Sequence, residues 1–102
     1  MYANSKNVKM KKEPKYLFAK VRQPCDYRPN VTAIVLFGLK IMGDDEPVYL
    51  EIRFIDYDRL QVEGDHMMFS LEEALKFALI DYGIEALDWR EMSQQEINRI
   101  DW

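Results

Sequence analysis

The sequence predicts a single α+β domain: a four-stranded, mainly antiparallel sheet with one amphipathic helix on one face and a short C-terminal helix beside it. Three observations predict this fold class. Residues 71–82 repeat apolar side chains with the period of a helix. Residues 15–69 form a series of short apolar or alternating runs typical of strands. The loops between these runs are short, which favours an antiparallel meander over crossover topology.

The first two predicted strands cover residues 15–22 and 31–42, on either side of a loop that contains Pro24 and Pro29. The first strand alternates between two faces. The second is apolar on both faces, which is typical of a central strand covered on both sides. Gly38 lies within it and predicts a bulge or the close crossing of another segment.

The third predicted strand covers residues 48–55 and alternates between apolar and polar side chains. This period predicts one face towards the core and one towards solvent. The inward set is Val48, Leu50, Ile52 and Phe54, and the outward set is Tyr49, Glu51 and Arg53. A fourth strand follows at residues 59–63 and 66–69, with an interruption at Gly64 and Asp65.

The next segment has the sequence signals for both ends of a helix and for its apolar face. Ser70 and Glu73 have the spacing of a capping box, and Gly83 stands where a left-handed residue would end the helix. Its apolar stripe is Leu71, Ala74, Leu75, Ala78, Leu79 and Tyr82. We therefore expect residues 71–82 to lie across the sheet.

A second, shorter helix is predicted over residues 94–101. Ser93 and Glu96 form its capping box, and Met92 and Ile97 have the positions of a hydrophobic staple. So short a helix is marginal without docking. The apolar residues expected to anchor this end of the chain are Leu87, Trp89, Ile97, Ile100 and Trp102.

The charge of the chain is unevenly distributed. Residues 1–15 hold five lysines and one glutamate, whereas residues 16–102 carry nine basic and seventeen acidic residues, a net of −8. Residues 1–14 lack periodicity and predict a basic, disordered leader before a domain of residues 15–102. The acidic body predicts repulsion of nucleic acid and attraction of cationic partners. The alternative is that its charge serves solubility alone.

The compartment follows from cysteine and hydropathy. The single Cys25 cannot form an internal disulfide, which favours a reducing compartment. No apolar run of the sequence approaches the roughly 18 residues of a membrane span. The N-terminal lysines precede no apolar segment of a secretory signal. We therefore predict a cytoplasmic protein without membrane contact.

Catalytic motifs are absent from the sequence, which contains no glycine-rich phosphate loop and no metal-spaced cysteine and histidine set. Asp56 and Asp58 form a D-x-D pattern that is explained as turn residues. The rival hypothesis is a metal-dependent, nuclease-like enzyme that uses Asp45, Glu51 and His66. An ion pair between Glu51 and Arg53 explains those two residues more simply. We predict no catalytic set, no metal and no cofactor.

A surface for protein recognition is the remaining hypothesis. Aromatic side chains among acids suit such a surface; the alternative is that these aromatics complete the core. The predicted partner contacts are Tyr49, Glu51, Asp56, Tyr57 and Asp58. A homodimer joined through an exposed sheet face is a further possibility.

Two C-terminal segments resemble a known class of proteins. Residues 69–84 read FSLEEALKFALIDYGI, and residues 88–100 read DWREMSQQEINRI. Together they resemble the C-terminal end of small acidic bacterial proteins that confer immunity to polymorphic or contact-dependent toxins. The resemblance covers about a third of the chain and rests on capping and packing positions. It implies a non-catalytic inhibitor that binds a basic toxin domain through complementary charge, and it carries over no contact residue.

Overall fold

The computed structural model describes residues 12–100, in which five strands form one antiparallel sheet. In chain order the strands are β1 Tyr16–Lys20, β2 Ala33–Leu39, β3 Val48–Asp56, β4 Gln61–Met68 and β5 Arg90–Glu91. They lie side by side in the order β4-β3-β2-β1-β5. The helices are α1 Leu71–Tyr82 and α2 Gln94–Arg99, with a 3-10 turn at Ala86–Asp88 between them. The predicted α+β class is confirmed. The short β5 was not predicted.

Both faces of the sheet are covered, as the two-sided apolar character of β2 predicts. We call the side under α1 the α1 face and the opposite side the α2 face. The buried apolar residues of the α1 face and its cover are Ala19, Cys25, Val31, Ile34, Leu36, Tyr49, Met68, Ala74, Ala78, Tyr82 and Ile84. Those of the α2 face are Phe18, Ala33, Val35, Ile52, Phe54 and Met92.

Helix α1 begins and ends where its sequence predicts. The Glu73 N–H donates to Ser70 Oγ at 3.0 Å. The Glu73 carboxylate reaches back, but it accepts the Phe69 N–H at 2.9 Å instead of the Ser70 N–H that a capping box uses. Gly83 has φ 67 and ends the helix in the left-handed region. Leu79, predicted in the buried stripe, is 51% exposed, because the stripe is centred on the small residues that approach the sheet.

Helix α2 begins with the predicted capping box. The Glu96 N–H donates to Ser93 Oγ at 3.1 Å, and the Ser93 N–H donates to Glu96 Oε1 at 2.8 Å. Met92 is buried in the α2-face cluster and Ile97 packs against the same cluster, as a hydrophobic staple requires. The helix ends at Arg99. The predicted docking role of Trp102 lies outside the described residues.

The segment between the helices corrects one prediction. Leu87 does not anchor it and is 98% exposed, because it lies in the 3-10 turn that Asp88 closes with a hydrogen bond from the Glu85 N–H at 2.8 Å. Trp89 packs against the α1-face cluster instead. None of the helices in residues 12–100 is long and apolar enough to cross a membrane.

Gly38 marks a close crossing, as predicted. A Cβ at this position would lie 2.6 Å from Pro14 Cβ and 2.8 Å from the Lys15 carbonyl oxygen. The Lys12 N–H donates to the Asp45 carbonyl at 3.1 Å. Residues 12–14 therefore lie against the sheet and the turn before β3. Residues 1–11 lie outside the described residues, so the disordered leader stays a prediction.

Candidate functional site

The prediction that one side of the third strand faces solvent is wrong. Tyr49, Glu51 and Arg53 are only 2%, 4% and 7% exposed, and they lie on the α1 face. The alternation is real, but both sides of β3 are covered: α1 lies over the polar side, and Ile52 and Phe54 pack in the α2-face cluster. The sheet therefore holds two charged side chains where an apolar core would be expected.

The Arg53 guanidinium joins two carboxylates. Its Nη1 donates to Glu51 Oε1 at 3.2 Å, and its Nε donates to Glu63 Oε1 at 2.7 Å. Arg28, in the loop before β2, also contacts Glu63, with 3.3 Å between Nη1 and Oε2. Gly64 leaves room for this arrangement, since a Cβ there would stand 2.6 Å from Arg53 Nη2. Glu63 therefore holds both arginines at the edge of the sheet.

Strand β4 supplies this contact through an irregularity. The predicted interruption at Gly64 and Asp65 is wrong, because both residues pair with β3. The register shifts instead between Arg53 and Phe54, whose partners are Gly64 and Val62. Glu63 is thereby left as the extra residue of a bulge, and bulges re-aim side chains.

One oxygen of Glu51 has no hydrogen-bond partner among the described residues. Its Oε2 is buried, and no hydrogen-bond donor in residues 12–100 reaches it. Burial raises the pKa of Glu51, and the hydrogen bond from Arg53 opposes this effect only in part. The same arginine lowers the pKa of Glu63, which is less buried. The two carboxylates on Arg53 thus differ in which protonation state the protein favours.

Glu51 lines a recess of about 200 Å³ between β4, α1 and the loop before β2. We call it the β4–α1 recess. Its charged and titratable lining comprises Arg28, Glu51, Arg53, His66 and Asp81, and its aromatic lining comprises Tyr27, Phe77 and Tyr82. Burial raises the pKa of Tyr82, and interaction with the Asp81 side chain raises the pKa of Tyr27 to about 12, so both phenols stay neutral.

The three residues of the metal-dependent hypothesis are only partly brought together. Glu51 and His66 are direct partners across β3 and β4 and line the same recess. Asp45 lies in the turn before β3 and does not line it. In the part of the chain that the structure describes, no three histidine, cysteine, aspartate or glutamate side chains are grouped to hold a metal ion.

The predicted partner contacts are divided between the two faces. Tyr49 and Glu51 are buried on the α1 face, and the Tyr49 hydroxyl accepts the Lys15 N–H at 2.9 Å. Their predicted place on an exposed surface is wrong, because α1 covers them. Asp56 ends β3, and Asp58 is exposed in the turn that follows. A partner contact at these two acids stays a prediction.

Tyr57 belongs largely to the core of the α2 face. Its ring lies 4.5 Å from that of Phe18 and 5.2 Å from that of Phe54, centroid to centroid. Its hydroxyl donates to Glu96 Oε2 at 2.8 Å. Burial, followed by this bond, raises the pKa of Tyr57 to about 12. The core interpretation of this aromatic residue therefore agrees with its contacts, and a partner contact through its remaining exposed part stays a prediction.

The acidic excess lies on the exposed surface. Residues 12–100 hold eleven basic and seventeen acidic residues. Seven of the basic side chains pair with a carboxylate within this range: Lys12, Arg22, Arg28, Lys40, Arg53, Arg59 and Arg90. The exposed acids that form no such pair there are Asp26, Asp44, Asp45, Asp58, Asp65, Glu72, Glu85 and Glu91. Most basic side chains of residues 12–100 are thus neutralised by nearby carboxylates, whereas these eight exposed carboxylates are available to a partner.

Comparisons of the chain with protein-family models, with curated proteins and with solved structures give no match. The candidate site therefore rests on its own geometry.

Proposed function

We propose that this chain is a non-catalytic, cytoplasmic protein-binding module of immunity or antitoxin type. It neutralises a basic partner domain by charge-complementary binding and needs no cofactor. The observation that carries the proposal is the distribution of ion pairs. Most basic side chains of residues 12–100 are already paired, whereas eight exposed carboxylates have no basic partner in that range. Such a surface attracts a cationic protein and repels a phosphate backbone.

Apolar contact is also available among the acids. Leu87 is 98% exposed and lies between Glu85 and Asp88 in sequence. An apolar residue with a charged rim is the usual composition of a binding surface, in which the apolar centre supplies affinity and the rim supplies specificity and association rate. The resemblance of residues 69–84 and 88–100 to toxin-immunity proteins supports the same class of partner.

The test begins with the full chain as bait. A partner captured from the native host is identified by mass spectrometry, purified and reconstituted with the chain. We expect a basic domain whose association rate falls at least tenfold between low and physiological salt. A clean monomer that captures no partner, or a partner whose association rate does not depend on salt, would contradict the proposal.

Two charge-reversal variants then locate the contact. Glu85→Lys with Glu91→Lys changes the surface around Leu87, and Asp44→Lys with Asp45→Lys changes net charge equally at the turn before β3. If the first pair slows association more than the second, the partner docks near Leu87. If both slow it equally, attraction is general. If neither slows it, charge complementarity is refuted.

The metal-dependent enzyme is the second candidate, favoured by the juxtaposition of Glu51 and His66 in one recess. It predicts that Mg²⁺ or Mn²⁺ raises the thermal unfolding midpoint, because a ligand that binds only the folded state stabilises it. The Glu51→Gln variant should abolish that shift. An unchanged midpoint in both metals would remove this candidate.

A further inference from the structure

We propose that the β4–α1 recess is a socket for one basic side chain, a lysine ammonium or an arginine guanidinium, presented by the partner. The inference rests on the proposed function in one respect, namely that the cation belongs to a protein partner. It adds the place of binding and the chemistry of the contact.

Negative charge is in excess at the recess. Both arginines at the recess are engaged by carboxylates: Arg53 by Glu51 and Glu63, and Arg28 by Glu63. Asp81 interacts with the Tyr27 hydroxyl but forms no ion pair with a basic side chain in residues 12–100, and Glu51 Oε2 has no donor there. Three carboxylates (Glu51, Glu63 and Asp81) therefore stand against two guanidinium groups, so a cation would balance the excess negative charge of the recess.

Glu51 is the buried carboxylate of the recess. The residue is 4% exposed, and a buried acceptor without a donor is costly. Burial raises the pKa of its carboxyl group, which is the expected response of an undercompensated carboxylate. A cation seated against Asp81 lies close to this charge across poorly screened protein and would stabilise its ionised form.

The walls of the recess suit a single basic side chain in both shape and composition. Tyr27, Phe77 and Tyr82 line the recess, and aromatic faces attract ammonium and guanidinium groups. The Arg28 guanidinium already lies 5.6 Å from the centroid of the Tyr27 ring, but Tyr27 is 67% exposed, which leaves room for an incoming side chain to contact the ring as well. A volume of about 200 Å³ is below the range of roughly 300–1,000 Å³ that holds drug-sized ligands. The end of one side chain fits this space better than a whole metabolite.

An anionic ligand is disfavoured by the same contacts. It would compete with Glu63, which bonds Arg53 at 2.7 Å and also contacts Arg28, and it would lie beside the carboxylates of Glu51 and Asp81. Charge-assisted bonds of this length are strong. The arginines therefore act as fixed walls, and the acids carry the recognition.

The experiment uses n-butylammonium and ethylguanidinium as probes, with 1-butanol as the neutral control. Backbone amide signals of the full chain are followed by NMR during titration. We expect saturable shifts at Tyr27, His66 and Asp81 with both cations and none with 1-butanol. Glu51→Gln and Asp81→Asn should each weaken cation binding at least fivefold.

Asp65→Asn is the matched control, because Asp65 precedes His66 on β4, pairs with Ile52 and so lies on the α2 face. It removes the same charge without touching the recess and should leave binding unchanged. Equal weakening in this variant, equal shifts with 1-butanol, or no saturable shift with either cation would overturn the socket. Asp81 is half-buried on α1, so Asp81→Asn carries the test if Glu51→Gln does not fold.

The captured partner separates this inference from the function on which it rests. If the partner binds Asp81→Asn as well as it binds Asp65→Asn, the socket is refuted while the acidic binding module stands. If the recess binds the probes with the expected variant effects but the chain has no basic partner, the proposed function fails while the cation site stands.

Discussion

The two faces of one sheet are built from different chemistry. The α2 face buries only apolar side chains at its centre and places its polar bonds, such as that between Tyr57 and Glu96, at the rim. The α1 face buries Glu51 and Arg53 under a helix, and one of its carboxylate oxygens has no donor within residues 12–100. A buried ion pair is weak support for stability, because desolvation offsets its attraction. The comparison therefore assigns stability to the α2 face and recognition to the charged end of the α1 face.

The largest expected effect removes the centre of the α2 face. Phe54 is 1% exposed, and Phe54→Ala should lower the free energy of unfolding by about 3–5 kcal/mol through lost burial and the cavity left behind. Urea denaturation measures this change. Phe69→Ala is the control, since Phe69 is 78% exposed and its loss should cost no more than about 0.5 kcal/mol. Equal losses of unfolding free energy in the two variants would contradict the assignment of stability to the α2 face.

The next effect tests the ion pair of the α1 face. Arg53→Met leaves Glu51 buried without its cation and should cost about 3 kcal/mol. Adding Glu51→Leu removes the orphaned charge and should restore stability to the original level or above it. Urea denaturation of the single and double variants checks both steps. If the double variant is as unstable as the single one, the pair contributes more than its desolvation costs.

Opposite pH slopes should distinguish the faces. On the α2 face, the ion pair between Arg90 and Glu96 lowers the pKa of Glu96. The stabilisation that Glu96 provides is therefore complete above the ordinary pKa of 4.5 and is lost as pH falls through the lowered pKa. Burial raises the pKa of Glu51, so stability falls as pH rises from 4.5 through the raised value.

Denaturation from pH 3 to 8 measures these slopes. Relative to the unmodified chain, the unfolding free energy of Glu51→Gln should rise by about 1 kcal/mol as pH rises. That of Glu96→Gln should be lower by about 1 kcal/mol at neutral pH and by less at pH 3, where the lowered pKa still keeps Glu96 ionised but part of its stabilisation is lost. Two slopes of the same sign would contradict the cited pKa directions.

The smallest effect concerns an exposed ion pair at the opposite sheet edge. Arg22 Nε lies 3.1 Å from Asp88 Oδ2, but the arginine side chain is 59% exposed. Solvent screens such pairs, so Arg22→Gln should change stability by less than about 1 kcal/mol. Lys20→Gln, which removes an exposed cation without an ion pair in residues 12–100, provides the reference. If Arg22→Gln lowered the free energy of unfolding by several kcal/mol, charge interactions at this edge would be as strong as those at the recess.

Much of the fold could be predicted because its signals are local. The bounds of α1 follow from the Ser70 cap and from Gly83, and the two-sided cover of β2 follows from its composition. The recess could not be predicted in the same way. Alternation along β3 shows that Glu51 and Arg53 share a face, but only the packing of α1 shows that this face is buried.

The long-range partners of the recess were also beyond sequence patterns. Glu63 reaches Arg53 through a register shift, and Asp81 comes from the far end of α1. The one signal that could have indicated the cluster is Gly64, a glycine in a strand, which is typical of a bulge or a close approach. Strand β5 is missing from the predictions because its two residues are too few to show any period.

The position of β5 has a consequence for biosynthesis. Among the five strands of residues 12–100, β5 is translated last, yet it pairs with β1, which is translated first, with Leu17 opposite Glu91. A nascent chain that has emerged only as far as α1 therefore exposes the hydrogen-bonding edge of β1, and open edges recruit other strands. The polypeptide is thus most vulnerable to aggregation after α1 has emerged and before β5 has, and a deletion of residues 90–100 should make that state permanent.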